Sequence, residues 1–226
     1  MIKAERKPIS EVMKMLSMVG ECDKVAVAGC GTCVTICFAG GEQEVESLVQ
    51  GVKLADSACG RVARQFSEVT PQRQCEIEFV EPLSGVVTDA DVVVSLACGV
   101  GVQVLAEMYP NTPVVPGLNT SFMGPPAQHG IWYENCAGCG DCVLGLTAGV
   151  CPVARCAKSM MNGPCGGSQN GMCEVGQDIE CAWSLIIQGL TRQGKMDNIL
   201  KAAKAKDWSP SAHGGQRRIE REDLTI

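Results

Sequence analysis

Fifteen cysteines in 226 residues, at positions 22, 30, 33, 37, 59, 75, 98, 136, 139, 142, 151, 156, 165, 173 and 181, constrain this chain more than any other feature. Cysteine at such density serves either disulfides or metal, and the compartment decides between them. The start, Met1-Ile2-Lys3-Ala4-Glu5-Arg6-Lys7, is charged and leads into no long apolar run, and nowhere is there a stretch approaching the ~18 apolar residues of a membrane span. The chain is therefore expected to be cytoplasmic, without a membrane span. In a reducing cytosol short cysteine spacings favour metal ligation over disulfides.

The texture changes along the sequence. Residues 1–120 alternate strand-like and helix-like segments. Lys24 to Gly29 is a short β-branched run ending at glycine, and Asp91-Val92-Val93-Val94-Ser95-Leu96 is the clearest strand. Glu42 to Leu54 places Val45, Leu48, Val49 and Val52 at helical spacing, and Val100 to Met108 also reads as a helix. Arg61 to Val69 alternates Val62, Arg64, Phe66 and Glu68 as a strand would, and Pro113-Val114-Val115 suits a last short strand. Strands separated by helices predict an α/β domain over 1–120, with a doubly wound parallel sheet of Rossmann or flavodoxin-like type. Residues 121–182 are rich in Gly, Pro and Cys and hold no period, so bound metal must supply much of their order. A helix is expected from Ala182 to Lys206, then a polar tail. The second domain, 121–226, is thus a loop-rich, ferredoxin-like region. With aromatics at only 4%, the core must be built from Val, Leu, Ile, Ala and Met.

Two cysteine sets emerge. The string Cys30-Gly31-Thr32-Cys33-Val34-Thr35-Ile36-Cys37 follows the first strand with spacing C-x2-C-x3-C, which lets thiolates grip one ion or cluster from one side. Cys98 follows the strand at 91–96. If the two strands are neighbours, Cys30 and Cys98 meet at the carboxyl edge of the sheet, where ligands bind when strand order reverses. Cys98 is therefore the expected fourth ligand and Cys75 its rival. Cys22 and Cys59 read as small hydrophobes. A four-thiolate zinc site would use the same residues.

The second set is Cys136, Cys139, Cys142, Cys151, Cys156, Cys165, Cys173 and Cys181. Cys136-Ala137-Gly138-Cys139-Gly140-Asp141-Cys142 has the C-x2-C-x2-C spacing that opens a bacterial ferredoxin run, but Cys151-Pro152 arrives nine residues after Cys142, not four. Eight thiolates suffice for two [4Fe-4S] clusters, and sequence order does not pair them. Two zinc sites, or one cluster and one zinc, use the same donors, although tight triplets favour a cubane. The turn Gly163-Pro164-Cys165-Gly166-Gly167 can aim N–H groups at cluster sulfur.

Other chemistries find little support. The formal charge of −6 and the absence of a basic, aromatic-interleaved patch argue against nucleic-acid binding. Arg217, Arg218 and Arg221 sit among Glu220, Glu222 and Asp223, as in a solvated tail. Only His129 and His213 are present, neither at metal-ligand spacing, and there is no P-loop or G-x-S-x-G elbow. Gly99-Val100-Gly101 is half of a dinucleotide fingerprint, with Val104 where its third glycine would stand.

The string Val27 to Gly41, containing Cys-Gly-Thr-Cys, resembles the cysteine-rich methylenetetrahydrofolate reductase C-terminal domain family. So do Ser95-Leu96-Ala97-Cys98-Gly99, Cys139-Gly140-Asp141-Cys142-Val143-Leu144, Cys151 to Lys158 and Asn162-Gly163-Pro164-Cys165-Gly166-Gly167. The resemblance covers roughly residues 10–205. A free-standing domain of this family is the small subunit of the two-subunit reductase of acetogens and related anaerobes, which belongs to Wood–Ljungdahl one-carbon metabolism. The resemblance implies a partner, a flavin-binding (β/α)8 catalytic subunit that reduces 5,10-methylenetetrahydrofolate to 5-methyltetrahydrofolate. This chain would be its non-catalytic, iron–sulfur electron-transfer subunit. It would carry two [4Fe-4S] clusters in the C-terminal region and a third in the N-terminal domain, and take electrons from a ferredoxin-like or heterodisulfide-reductase-like donor. The alternatives are a zinc-bound structural or docking subunit, or a zinc-thiolate methyl-transfer component.

Overall fold

The computed structural model describes residues 1–128, 130–200 and 204–211. His129, His213 and the arginine cluster of the tail lie outside the described residues. Two units are distinguished: Met1–Phe122 with Gln128–Ile131, and Met123–Ala127 with the described residues from Trp132 onward.

The first unit runs β1 (Ile2–Arg6), α1 (Ile9–Val19), β2 (Lys24–Ala28), α2 (Cys33–Ile36), α3 (Glu42–Ala58), β3 (Gln65–Val69), α4 (Ile77–Val80), α5 (Ser84–Asp89), β4 (Val92–Ser95), α6 (Gly99–Met108), β5 (Val114–Pro116) and β6 (Leu118–Met123). Strands β3-β2-β4-β5 form a four-stranded parallel sheet in that order, so the chain is a mixed α/β protein. Valine-rich runs form these strands because both faces are covered. Ala26, Ala28 and Val93 pack with Val80, Val87 and Leu105 from α4, α5 and α6. The alternate residues Val25, Val27, Val92 and Val94 are equally buried, as expected of a parallel sheet with helices on both sides.

Helix α3 turns Val45, Val49 and Val52 inward at helical spacing, and the Glu44 carboxylate accepts the Gly41 N–H at 2.9 Å to cap its start. It continues past Leu54 to Ala58, because its last turn carries the buried Asp56. That carboxylate receives two hydrogen bonds from Arg64 Nη1, at 2.5 and 2.7 Å, while Arg64 Nε donates to the Cys22 carbonyl at 3.1 Å. The strand expected over Arg61–Val69 accordingly begins only at Gln65: Arg64 is committed to the ion pair, and Val62 is 83% exposed. The sequence reading also passed over β1, which pairs with β6, and α1, which buries Val12 and Leu16 one turn apart.

The second unit has little regular structure: α7 (Pro152–Arg155), β7 (Met172–Cys173), β8 (Gly176–Glu180), α8 (Ala182–Gln193) and α9 (Asp197–Leu200). Strands β7 and β8 pair antiparallel. The helix expected from Ala182 to Lys206 stops at Gln193, because Gly194 adopts φ +64° and caps it in the left-handed conformation. Lys201 to Ala203 lie outside the described residues. The core here is small: Cys181, Trp183, Ile186 and Leu190, with Ala148, Val150, Met160 and Ile199 against it. Among the described residues no helix is long and apolar enough to cross a membrane.

Removing one member of a buried ion pair strands the other. Asp56→Ala should therefore lower the unfolding free energy by about 3–5 kcal/mol, read from urea denaturation. The double replacement Asp56→Leu/Arg64→Met should restore most of that loss.

Candidate metal centres

The N-terminal set is built at the carboxyl ends of the parallel strands. Strands β2 and β4 are neighbours, paired from Val25↔Val92 to Ala28↔Ser95, so Cys30 and Cys98 follow adjacent strand ends. Gly40 lets the loop after β2 close onto the end of β4, since a Cβ there would stand 2.0 Å from the Leu96 carbonyl oxygen. The loop after β3 is fastened across both strand ends by Gln74, a fully buried polar residue. Its Nε2 donates to the carbonyls of Ala28 (2.8 Å) and Gly29 (2.6 Å), and its Oε1 accepts from Ser95 Oγ at 2.7 Å. The Gly31 N–H donates to the Pro71 carbonyl at 3.0 Å, and Cys30 Sγ lies 4.0 Å from the Gln72 carbonyl.

Cys75, next to Gln74, is thereby brought beside the others. Burial pushes its thiol above the ordinary value, and the charges of Cys30 and Cys98 push it further. Cys33, at the start of α2, shares the neighbourhood of Arg73 with Cys75. The Glu76 carboxylate paired with Arg73 chiefly raises that guanidinium, and the Cys75 and Cys33 charges add to the effect. Cys37 turns elsewhere: it is buried, and its Sγ donates to the Ile2 carbonyl of β1 at 3.2 Å.

In the second unit, one recess is lined by four cysteines, Cys156, Cys165, Cys173 and Cys181, and has about 370 Å³ of space between its walls, open solvent included. Each thiol arrives on a different local element: the end of α7, the Gly-Pro-Cys-Gly-Gly turn, β7 and the start of α8. Cys181 stands at the N-terminal end of α8, with no side-chain cap hydrogen bond. Burial opposes ionisation of this thiol, but the polar groups of Ser184 and Ser168 and the Trp183 N–H favour the thiolate more strongly, and its pKa falls below the ordinary value. Cys156 Sγ accepts the Met160 N–H at 3.4 Å. Two ion pairs, Lys158–Glu174 and Arg155–Glu180, line the same recess, and Cys165 Sγ donates to Glu174 Oε1 at 3.5 Å.

Of the remaining four, Cys136 bridges to Met123 and accepts the Gly138 N–H at 3.5 Å, while Cys151 accepts the Ala154 N–H at 3.5 Å. Cys142 lines a wider recess with Asp141, Trp183 and Trp208, and Cys139 is half-buried. Among the described residues, no three His, Cys, Asp or Glu side chains are gathered as a ready site for a single metal ion. The donor set is nonetheless suited to soft metal: thiols converge on a recess, backbone N–H groups point at sulfur, and one thiol is biased toward thiolate. Gln74, Ser168 and Ser184 escaped the sequence reading, since a lone amide or hydroxyl carries no spacing signal.

The fold and its thiols define a mixed α/β protein with a cysteine-lined recess in its second unit. Residues 115–209, less than half of the chain, match the family model described as "Methylene-tetrahydrofolate reductase C terminal". The match supports a relation to methylenetetrahydrofolate reductase and takes in all eight cysteines from Cys136 to Cys181, but none of those from Cys30 to Cys98. Comparison with curated proteins and with solved structures found no match.

Gln74→Ala strands two backbone carbonyls and a buried hydroxyl. It should cost on the order of 3 kcal/mol in chemical denaturation, and Gln74→Glu should not recover it, because a carboxylate cannot donate to the Ala28 and Gly29 carbonyls.

Proposed function

We propose that this chain is an iron–sulfur electron-transfer subunit of a methylenetetrahydrofolate reductase complex, passing electrons to the flavin of a separate (β/α)8 subunit that reduces methylenetetrahydrofolate. The observation that carries the reading is the recess lined by Cys156, Cys165, Cys173 and Cys181, inside the segment that matches the reductase-associated family. In this reading the four recess thiols serve one cluster, and Cys136, Cys139, Cys142 and Cys151 remain for the second. The C-x2-C-x2-C triplet suits three corners of one cubane, as in ferredoxin-like regions. In the first unit, the β3-β2-β4-β5 order reverses direction at β2/β4, which supports a doubly wound, flavodoxin-like sheet.

A bound [4Fe-4S] cluster supplies one-electron storage. The chain's residues supply its setting. Four thiols provide the ligands, Ser168 and Ser184 favour the thiolate form of Cys181, and the Met160 N–H donates to Cys156 sulfur. Lys158 and Arg155 place positive charge beside a thiolate-rich site, and their partners Glu174 and Glu180 moderate it. The donor that reduces the chain is ferredoxin-like or heterodisulfide-reductase-like in this reading, and the compartment is the cytoplasm.

Anaerobically purified chain should be brown, with broad absorption at roughly 400 nm that dithionite bleaches. The reduced chain, freed of dithionite, should then reduce the flavin of the co-expressed catalytic subunit. Cys165→Ser/Cys173→Ser should lose one centre's share of the absorption. A colourless chain with stoichiometric zinc contradicts the electron-transfer reading.

A further inference from the structure

We infer that Cys75, not Cys37, completes the metal centre at the carboxyl edge of the parallel sheet, so that its ligands are Cys30, Cys33, Cys75 and Cys98. The inference rests on the thiolate–metal reading proposed above and extends it to residues outside the segment matched by the family.

Three adjacent parallel strands, β3, β2 and β4, each deliver one loop to the same edge, and each loop carries a cysteine: Cys75, Cys30 and Cys98. Gln74 ties the three loops together through the Ala28 and Gly29 carbonyls and the Ser95 hydroxyl. A Cβ on Gly101, in the first turn of α6, would stand 2.8 Å from Gln74 Cβ, so the start of the Cys98-capped helix packs against the same side chain. Cys75 directly follows Gln74, so the side chain that fastens the three strand ends also sets Cys75 at that edge, and Cys33 opens the short helix that leaves the Cys30 loop. Arg73 and the positive end of α6 offset the negative charge that four thiolates would gather.

Cys37 lacks these relations. Its Sγ donates to the Ile2 carbonyl of β1 at 3.2 Å, away from the loops that carry the other three thiols. Cys75 is exposed and so open to a ligand. Spacing in C-x2-C-x3-C suggests that all three cysteines of the string act together. The four-residue helix α2 instead runs from Cys33 to Ile36 and sends Cys37 toward β1.

The test uses the full chain loaded anaerobically with metal, in two measurements. In the first, iron plus zinc is counted in three variants whose far-UV circular dichroism matches that of the wild type. Cys75→Ser and Cys98→Ser should each lose one centre of three, roughly a third of the bound metal, and Cys37→Ser should lose none. In the second, the wild type is alkylated and mapped by mass spectrometry, which needs no variant to fold. Cys75 should be protected when metal is bound and labelled when it is stripped, whereas the exposed Cys59 should label in both. Loss of metal in Cys37→Ser with retention in Cys75→Ser overturns the assignment, as does equal labelling of Cys75 in both states. Zinc in place of iron, lost with Cys75, upholds the site and overturns only the electron-transfer reading. A chain that binds neither metal overturns both.

Discussion

The pairing of β2 with β4 is the constraint on which the first unit depends. Its register, Val25↔Val92 through Ala28↔Ser95, ends both strands at one level, and the loops leaving that level carry Cys30 and Cys98. Parallel pairing is available only because both faces of the strands are buried, so the same valines that make the core also place the thiols. Gln74 extends this to a third loop. It is a fully buried amide, and its three hydrogen bonds are the reason that it stands there.

The second unit is held by different means. Its apolar core amounts to one helix face, Trp183, Ile186 and Leu190, and a few neighbours. The rest is turns with positive φ at Gly138, Gly140, Gly163 and Gly166, conformations that glycine tolerates, and at Gly138 the turn brings the backbone N–H to Cys136 sulfur. With so little buried hydrocarbon, the remaining order is assigned, in the proposed reading, to the binding free energy of metal. The four-cysteine recess is where that coupling would act.

Much of the sheet was legible because its signal is local. The β-branched runs at 24–29 and 91–96 and the helical spacing over 42–54 need no knowledge of the rest of the chain. The neighbouring placement of Cys30 and Cys98 followed from one topological rule. What stayed hidden depends on partners distant in sequence. Arg64 looked like one member of an alternating strand, and only its pairing with Asp56 removes it from that strand. β1 shows itself only against β6, and Cys75, in sequence only a rival to Cys98, stands with it because Gln74 draws its loop across the strand ends. In the second unit the eight ligand candidates could be read from spacing, but their grouping could not, since Cys156 and Cys181 are joined by folding and not by sequence proximity.

The central claim is that these cysteines hold iron–sulfur clusters. It is tested most directly by iron, acid-labile sulfide and zinc per chain after anaerobic purification. The account predicts iron and sulfide in equal amounts, about eight of each from the C-terminal foursomes and about twelve with the sheet-edge centre filled. Stoichiometric zinc without sulfide would contradict it.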